Sequence, residues 1–363
     1  MAKRVGVDKW LYFATLVLVV IGLAMVFSAS AVLAGQAFGS PYYFLARQTL
    51  WATLGLIAMT VLMKIDYRKY NRPGVVFPVV GLTILLLLVA FMMHDSHNTH
   101  RWIRVGSASF QPSAIAQLSI ILFMAWFLQN RMSDIDNFRQ TILPAALPSL
   151  IFIALILKEP DLGTAMVCAA VTALILWLAG MDFKYLLYAA LASTPVLYVM
   201  LFRVPWRRER LLAFLNPESD PLGKGYHILQ SLIAVGSGGI RGVGYMDGAA
   251  KLFYLPEPQT DYIFATVAQE LGLIGSIFVV GLFVLIGWRG MRAAILSRDP
   301  FARFLAFGIT VTILIQAFFN ISVVLALVPT KGITLPFISY GGTSLFFMLA
   351  LTGVLLNITR EIE

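Results

Sequence analysis

Charged residues are scarce in this sequence. They make up 12% of its 363 residues, whereas 59% of the residues are hydrophobic. A soluble domain usually has about 25% charged residues, roughly twice this share. A soluble protein of 40.1 kDa could not keep so much apolar side chain from water. The composition therefore excludes an ordinary cytosolic enzyme and a disordered chain, and it predicts a membrane protein.

Cysteine and histidine are nearly absent. The single cysteine, Cys168, lies in an apolar run and has no second cysteine to pair with, which excludes a disulfide scaffold. Three of the four histidines, His94, His97 and His100, are close together and suggest a metal site. No second cluster of Cys or His completes one, so the sequence identifies no metal ligands.

Long apolar runs are abundant. A transmembrane helix needs about 20 apolar residues. Lipid offers the backbone no hydrogen-bond partners and these runs do not alternate with period two, so we predict helices and not barrel strands. The predicted spans are 10–34, 45–63, 74–93, 112–128, 141–157, 162–179, 184–202, 262–287, 304–327 and 340–359. The shortest are 112–128 and 141–157. The predicted fold is an all-α polytopic membrane protein, a single domain over residues 1–363.

The positions of the basic residues predict the orientation in the membrane. With ten spans both termini lie on one side, and the loops of that side carry most of the Lys and Arg residues. These are Lys3, Arg4, Lys9, Lys64, Arg68, Lys69, Arg72, Arg131, Arg139, Lys184, Arg289, Arg292, Arg298, Arg303 and Arg360. The short loops of the other side carry only Arg101, Arg104, Lys158 and Lys331. The positive-inside rule therefore places both termini in the cytoplasm. This distribution explains the net charge of +9 without nucleic-acid binding.

The long loop 203–261 between spans 7 and 8 is predicted to be external and to hold the functional site, because loops of this length are functional or disordered. Two apolar patches, 211–215 and 228–235, predict short amphipathic helices that lie either on the outer leaflet or in a groove. A glycine-rich run follows them, Gly236, Gly238, Gly239, Gly242, Gly244 and Gly248. Such a run serves either as a hinge or as a set of exposed N–H groups facing a phosphate.

Asp261 follows two prolines and directly precedes span 8. Thr260 or Asp261 is expected to cap that helix by accepting hydrogen bonds from its free N–H groups. The alternative to a structural cap is a catalytic acid. Glu270 lies nine residues further on, on the opposite face of a continuous helix, so it should not form an acid pair with Asp261.

Several motifs together resemble the SEDS family (shape, elongation, division and sporulation), whose bacterial members are RodA and FtsW. They are Arg101-Trp102-Ile103, Gln111-Pro112-Ser113, Pro160-Asp161-Leu162-Gly163-Thr164, Gly225-Tyr226 with Gln230-Ser231, Gly236-Ser237-Gly238-Gly239, Leu255-Pro256-Glu257 with Thr260-Asp261-Tyr262, and Pro329-Thr330-Lys331-Gly332 with Ile338-Ser339-Tyr340-Gly341-Gly342. They occur in the family's order over nearly the whole chain. The last segment and the run Met25-Val26-Phe27-Ser28-Ala29-Ser30 are more similar to FtsW than to RodA.

The resemblance implies a bacterial enzyme of the cytoplasmic membrane. Its members are inverting peptidoglycan glycosyltransferases that polymerise lipid II at the outer membrane face for cell division or elongation, and they work with a class B penicillin-binding transpeptidase. Asp261 matches the family's essential aspartate and would act as the general base. The residues that the resemblance and the charge pattern assign to substrate binding are Arg101, Gln111, Ser113, Asp161, Arg207, Arg210, Gly238, Gly239, Thr260, Lys331, Ser339 and Tyr340. Either protein cations or a divalent cation, Mg²⁺ or Mn²⁺, would neutralise the departing pyrophosphate; the metal site is unknown.

The chain departs from the family pattern at four positions. Ala114 and Gln117 stand where the family usually has Glu and Lys, Gln259 replaces His, and Gln269 replaces the first of two Glu residues. The first two changes remove an ion pair as a unit, which leaves no unpaired charge in the membrane. Either another cation serves in this chain or its activity is reduced.

Two other classes of function remain open at this level. Ten helices with polar residues suit a flippase or transporter for a lipid-linked precursor, although no internal repeat relates the two halves. A non-catalytic scaffold for a division or elongation complex would use the external loop only for docking. Polar residues in spans 9 and 10, such as Gln316, Asn320 and Ser344, either line a cleft or link helices by hydrogen bonds.

Overall fold

The computed structural model describes residues 6–93, 101–105, 108–135, 137–248, 255 and 257–361. Its α-helices and strands, in chain order, are α1 (Lys9–Phe38), α2 (Tyr43–Lys64), α3 (Pro73–Met92), β1 (Ile103–Val105), β2 (Ala108–Phe110), α4 (Ser113–Leu128), α5 (Leu143–Lys158), α6 (Leu162–Leu178), α7 (Phe183–Phe202), α8 (Pro205–Leu215), α9 (Tyr226–Ser237), α10 (Ile263–Leu296), α11 (Pro300–Val324) and α12 (Gly342–Thr359). A π-helical turn, Phe138–Ile142, leads into α5. Single 3₁₀ turns lie at Tyr67–Lys69, Met132–Asp134 and Pro217–Ser219.

Each of the ten predicted spans is a helix, which confirms the all-α polytopic fold. Eight helical segments of the described chain are long and apolar enough to cross a membrane. The other two are α4 and α6, with 16 and 17 residues. The expectation that 141–157 is one of the short spans was wrong, because the π-helical turn extends α5 to a segment of 21 residues.

The ends of α1, α10 and α12 are joined by a buried polar cluster on the side of the termini. The carboxylate of Asp8 accepts hydrogen bonds from the backbone N–H groups of Trp10 and Leu11 and thereby caps α1. Its second oxygen pairs with Arg289 of α10, and both side chains are at least 92% buried. A buried charge is stable only with such a partner, so this contact fixes the register of α1 against α10.

Helix α10 is interrupted at Gly272, which has φ 66° and ψ −164°. The glycine-rich run after α9 lies against this break. Its backbone forms hydrogen bonds with α10 both before and after Gly272. The N–H groups of Val243 and Gly244 donate to the carbonyls of Gln269 and Glu270, at 3.0 and 3.2 Å. Leu273 and Ile274 of α10 donate to Gly239 and Ile240, at 2.9 and 3.2 Å. The loop therefore satisfies the backbone groups that the break leaves free.

Two further features lie in the loops. The strands β1 and β2 form an antiparallel hairpin between α3 and α4, which the sequence analysis did not predict. The two short helices expected in the long loop are present as α8 and α9. Helix α7 lies at the edge of the bundle, since none of its described side chains is buried. It leads directly into α8.

Candidate active site

A cavity of about 220 Å³ lies among the loops on the side opposite the termini. Four connections contribute to its wall: the segment before β1, the α5–α6 turn, α8 and the α11–α12 loop. The lining residues are Arg101, Pro160, Asp161, Leu162, Gly163, Met166, Leu201, Trp206, Arg207, Arg210, Leu211, Pro329, Thr330, Lys331 and Gly332. The fold thus brings together Arg101, Asp161, Arg207, Arg210 and Lys331, which are far apart in the sequence.

Asp261 lies next to this cavity, against Gly332. A Cβ atom placed on Gly332 would be 2.9 Å from Oδ2 of Asp261, so only glycine leaves room for the carboxylate there. The side-chain amide of Asn320 in α11 donates to the backbone carbonyls of Asp261 and Ile333, at 2.9 and 2.7 Å. The α11–α12 loop and the segment before α10 are therefore fastened together at the acid.

Asp261 does not cap α10, which corrects the expectation from the sequence. The residue at the N-cap position is Tyr262, and its side chain makes no capping hydrogen bond. Thr260 does not cap the helix either, because its hydroxyl donates to the carbonyl of Glu257 at 3.2 Å. The helix begins two residues after Asp261, which leaves the carboxylate free of the structural role proposed for it.

The charges around the cavity alter the ionisation of Asp261 and Lys331. Burial and the neighbouring carboxylate of Glu257 raise the pKa of Asp261 to about 7, against the opposing effect of Arg210. Burial and the positive charge of Arg207 lower the pKa of Lys331 to about 8. Lys331 also contacts the sulfur of Met166. Both groups therefore titrate close to neutral pH.

Two arginines of the cavity, the half-buried Arg101 and the buried Arg207, donate to backbone carbonyls. Arg101 donates through Nε to the carbonyl of Glu159 at 3.1 Å and through Nη2 to that of Pro160. Arg207 is 8% exposed, and its Nη1 donates to Met200 at 3.4 Å. Its Nε has no hydrogen-bond partner in the described chain. The sequence assigned Arg101 and Arg207 to substrate binding, and the fold places both at the cavity.

Asp161 is the N-cap of α6 and also a cavity residue. Its carboxylate accepts hydrogen bonds from the N–H and the hydroxyl of Thr164, at 3.1 and 2.8 Å. Gln111 donates to the same carboxylate at 3.4 Å. These three hydrogen bonds hold the Asp161 carboxylate at the start of α6.

A smaller polar cavity of about 50 Å³ lies deeper in the bundle and shares Gly332 with the first. Gln111 and Ser113 line it, and the buried Ser113 hydroxyl has no partner in the described chain. In the same cavity the side-chain amide of Gln316 donates to Gln117 at 2.6 Å, so Gln117 has a neutral partner in α11.

Seven predicted substrate-binding residues do not line the large cavity: Gln111, Ser113, Gly238, Gly239, Thr260, Ser339 and Tyr340. Gly238 packs against α10, where an added Cβ would be 2.0 Å from the carbonyl oxygen of Ala268, and Gly239 accepts from the helix backbone. The N–H groups of Val243 and Gly244 are used by α10 and do not face a phosphate. Ser339 donates to the carbonyl of Thr260 at 2.6 Å, which holds the segment before Asp261.

Tyr340 also holds the segment before Asp261, because its backbone N–H donates to the carbonyl of Gln259 at 2.8 Å. The ring of Tyr340 packs edge-on against Phe44, with 5.0 Å between centroids. Gln48 of α2 donates to the carbonyl of Ser339 at 3.0 Å and accepts from the N–H of Gly341. Thr260, Ser339 and Tyr340 therefore join the α11–α12 loop to Asp261 through backbone contacts.

Glu270 forms no pair with Asp261, which confirms the sequence-based expectation. The Ser28 hydroxyl lies 2.6 and 2.8 Å from its two carboxylate oxygens, and the N–H of Met246 donates to it at 3.1 Å. Glu270 therefore joins α10 to α1 and to the glycine-rich loop.

Trp206 and Gln48 were not predicted from the sequence as residues of the site. The signal for Gln48 was a lone amide in an apolar span, and the signal for Trp206 was an aromatic residue beside two arginines. Glu159 is 1% exposed, and neither of its carboxylate oxygens has a partner in the described chain. Burial and the charge of Asp161 raise its pKa to about 8.

The three clustered histidines, His94, His97 and His100, lie outside the described residues. Within the described ranges no group of three or more His, Cys, Asp or Glu side chains is placed to hold a metal ion. The positive charge that the structure brings to the cavity comes from Arg101, Arg207, Arg210 and Lys331.

Two curated proteins are similar to this chain over most of their length. The probable peptidoglycan glycosyltransferase FtsW of Geobacter metallireducens is 42% identical over 345 residues, which cover 94% of this chain and 92% of that protein. Stage V sporulation protein E of Bacillus subtilis is 41% identical over 361 residues, which cover 99% and 98%.

Solved structures share the fold. One, described as showing the structural coordination of polymerization and crosslinking by a peptidoglycan synthase complex, has a TM-score of 0.78 at 27% identity and covers 98% of both chains. The rod shape determining protein RodA of Thermus thermophilus has a TM-score of 0.71 at 26% identity, with 98% of this chain and 97% of that one covered. The sequence model of the cell cycle proteins FtsW, RodA and SpoVE matches residues 9–363. This chain therefore belongs to the FtsW/RodA/SpoVE family, on its FtsW-like side.

Proposed function

We propose that this protein is a peptidoglycan glycosyltransferase that polymerises lipid II into glycan strands, with Asp261 as its general base. Relatives about 40% identical over nearly the whole chain bear the name of that enzyme. The observation that carries the proposal is the cavity itself, which four cationic side chains and Asp161 line and which has Asp261 beside it.

Asp261 is suited to accept a proton in this reaction. The hydroxyl of one sugar attacks the anomeric carbon of another, a new C–O bond forms, and the bond from that carbon to the pyrophosphate oxygen breaks. Asp261 takes the hydroxyl proton. A general base works best when its pKa is close to the operating pH, and the pKa of Asp261 is raised to about 7. Attack opposite the leaving group inverts the anomeric centre, so a single carboxylate is enough.

The four cations are suited to bind the pyrophosphate. Arg101, Arg207, Arg210 and Lys331 repel one another across the cavity, and an anion between them relieves this repulsion. They also stabilise the charge that develops on the leaving oxygen, an effect that is large in a site partly closed to water. Asp161 and Gln111 hold the α6 end of the cavity in place.

The site is proposed to open at the outer face of the bacterial cytoplasmic membrane. Basic residues are concentrated in the loops on the side of the termini. With the termini in the cytoplasm, every loop that lines the cavity is external, where the lipid-linked substrate is used.

A class B penicillin-binding transpeptidase is the proposed partner. A solved structure with the same fold is described as a peptidoglycan synthase complex that coordinates polymerization and crosslinking. Helix α7 has no buried described side chain, which leaves a long apolar face for lipid or for such a partner.

The test is an Asp261→Asn variant of the full-length protein, purified in detergent and supplied with lipid II. Asn has the same shape but does not accept a proton at neutral pH. We expect the variant to fold and to lose polymer formation by about 10²- to 10⁴-fold, the loss typical of a removed acid or base.

Glu270→Gln is the matched control, because Glu270 is a buried carboxylate of the same region that contacts Ser28 and not the cavity. Glu270→Gln should mainly lower the midpoint of thermal unfolding, and its effect on the rate of polymerisation should be smaller. Equal polymer yield from Asp261→Asn and the parent protein would remove Asp261 from catalysis and favour the flippase or scaffold alternative.

A further inference from the structure

One face of α8 forms a wall of the cavity. Trp206, Arg207, Arg210 and Leu211 all line it, and their spacing places them on one side of a helix. Glu209 points away and pairs instead with Lys224, with 3.1 Å between Oε1 and Nζ. Helix α8 is therefore an amphipathic element whose cavity face combines one indole ring with two guanidinium groups.

Trp206 contacts both of these arginines. The guanidinium carbon of Arg207 lies 5.0 Å from the centroid of the indole, and that of Arg210 lies 5.3 Å from it. Both distances are within the range of cation–π attraction, for which tryptophan is the best aromatic partner. Like charges so close together would otherwise move apart, and arginine side chains lose much rotamer freedom when they are fixed.

Arg207 is buried, but its hydrogen bonds do not satisfy all of its N–H donors. It is 92% buried, with a backbone contact to Met200 at 3.4 Å, and its Nε has no hydrogen-bond partner in the described chain. A buried donor without an acceptor is costly. The indole face supplies a compensating contact, and an anion in the cavity would supply the missing acceptor.

We propose that Trp206 is a positioning residue that holds the guanidinium groups of Arg207 and Arg210 in the cavity, ready to bind the pyrophosphate of the substrate. It acts through the arginines and not by contact with the reacting atoms. The inference deepens the proposed function and depends on it for the identity of the anion.

The test measures binding of inorganic pyrophosphate by calorimetry to the full-length Asp261→Asn protein, in which turnover does not interfere. We expect Trp206→Ala in this background to weaken binding by about 3- to 30-fold, the range that corresponds to one or two cation–π contacts. Trp206→Phe keeps an aromatic face and should stay within about threefold of the parent. Trp177→Ala removes an exposed tryptophan from outside the cavity and should leave binding unchanged.

Steady-state kinetics with Asp261 intact give a second measurement. Trp206→Ala should raise KM for lipid II and leave kcat within about threefold, whereas Trp206→Phe should restore KM. Unchanged pyrophosphate binding in Trp206→Ala overturns the inference, and so does a Phe variant as weak as the Ala variant. If the Asp261→Asn parent binds no pyrophosphate, the anion cavity and this inference both fail. Even then, loss of polymerisation by Asp261→Asn would support the role of Asp261 as the general base.

Discussion

Asp261 is positioned mainly through its backbone and its neighbours. Asn320 holds its carbonyl, Ser339 holds that of Thr260, and Gly332 leaves room for the carboxylate. Burial raises the pKa of this carboxyl to about 7 because the charged form loses water, while the nearby arginines only partly compensate. The result is a carboxylate that is ready to take a proton at neutral pH.

The pH dependence of kcat/KM should be bell-shaped. Asp261 must be deprotonated to act as a base, so activity rises with pH through about 7. Lys331 must be protonated to bind the leaving anion, so activity falls as pH rises through about 8. Initial rates from pH 5.5 to 9.5 with lipid II measure both limbs. Lys331→Arg keeps its charge over this range and should lose the alkaline limb; an alkaline limb unchanged in that variant would exclude Lys331 as its cause.

Gln117, one of the departures from the family pattern, has a hydrogen-bond partner in the structure. The Gln117 side chain accepts from Gln316 across the small cavity, at 2.6 Å. A neutral hydrogen-bonded pair avoids the desolvation cost of two buried charges, and it links α4 to α11. The cation that the motif lacks at position 117 has counterparts in Lys331 and the arginines of the large cavity.

At the scale of secondary structure, the broken helix α10 determines the shape of the outer half of the molecule. The segment 263–271 follows Asp261, and the glycine-rich loop fills the break at Gly272. Glu270 at the break joins α10 to α1 through Ser28. The glycines of this loop serve close backbone packing, which explains their density better than a phosphate-binding role.

A substitution at Gly238 tests this packing. In Gly238→Ala the new Cβ would lie 2.0 Å from the carbonyl oxygen of Ala268, so α9 and α10 must separate. We expect a loss of about 1–3 kcal/mol in stability, seen as a lower midpoint of thermal unfolding in detergent. The matched control is Gly236→Ala, where nothing lies within 4 Å of the new Cβ, and there the midpoint should stay the same or rise slightly. Equal midpoints in the two variants would contradict the packing role.

At the scale of the whole molecule, the alternation of ten helices places all the cavity loops on one side and both termini on the other. The lining residues come from the connections after α3, α5, α7 and α11. The Asp8–Arg289 pair joins the start of α1 to the far end of α10, so the opposite side is also held together.

This arrangement predicts the accessibility of two exposed positions. A cysteine introduced near Gly223, in a variant in which Cys168 is replaced by Ala, should react with a membrane-impermeant maleimide in intact cells. One introduced at Arg292 should react only after the membrane is permeabilised. Labelling of both positions from the same side would contradict the ten-span topology.

The sequence by itself determined the spans and the family, because hydrophobic length and motif order are local properties. The positions of the basic residues predict the orientation, and the predicted functional loop supplies one wall of the cavity. The sequence also identified Asp261, Arg101, Arg207, Arg210 and Lys331. Only the tertiary structure decided that the four cationic side chains line one cavity with Asp261 next to it, that Asp261 is not a cap, and that Gly238 and Gly239 pack on α10. The physical reason is that a helix break at Gly272 and its backbone partners 34 residues earlier are a long-range pairing, which no local pattern encodes. The cation–π contacts of Trp206 with Arg207 and Arg210 also depend on tertiary structure, because packing determines which face of α8 lies against the bundle.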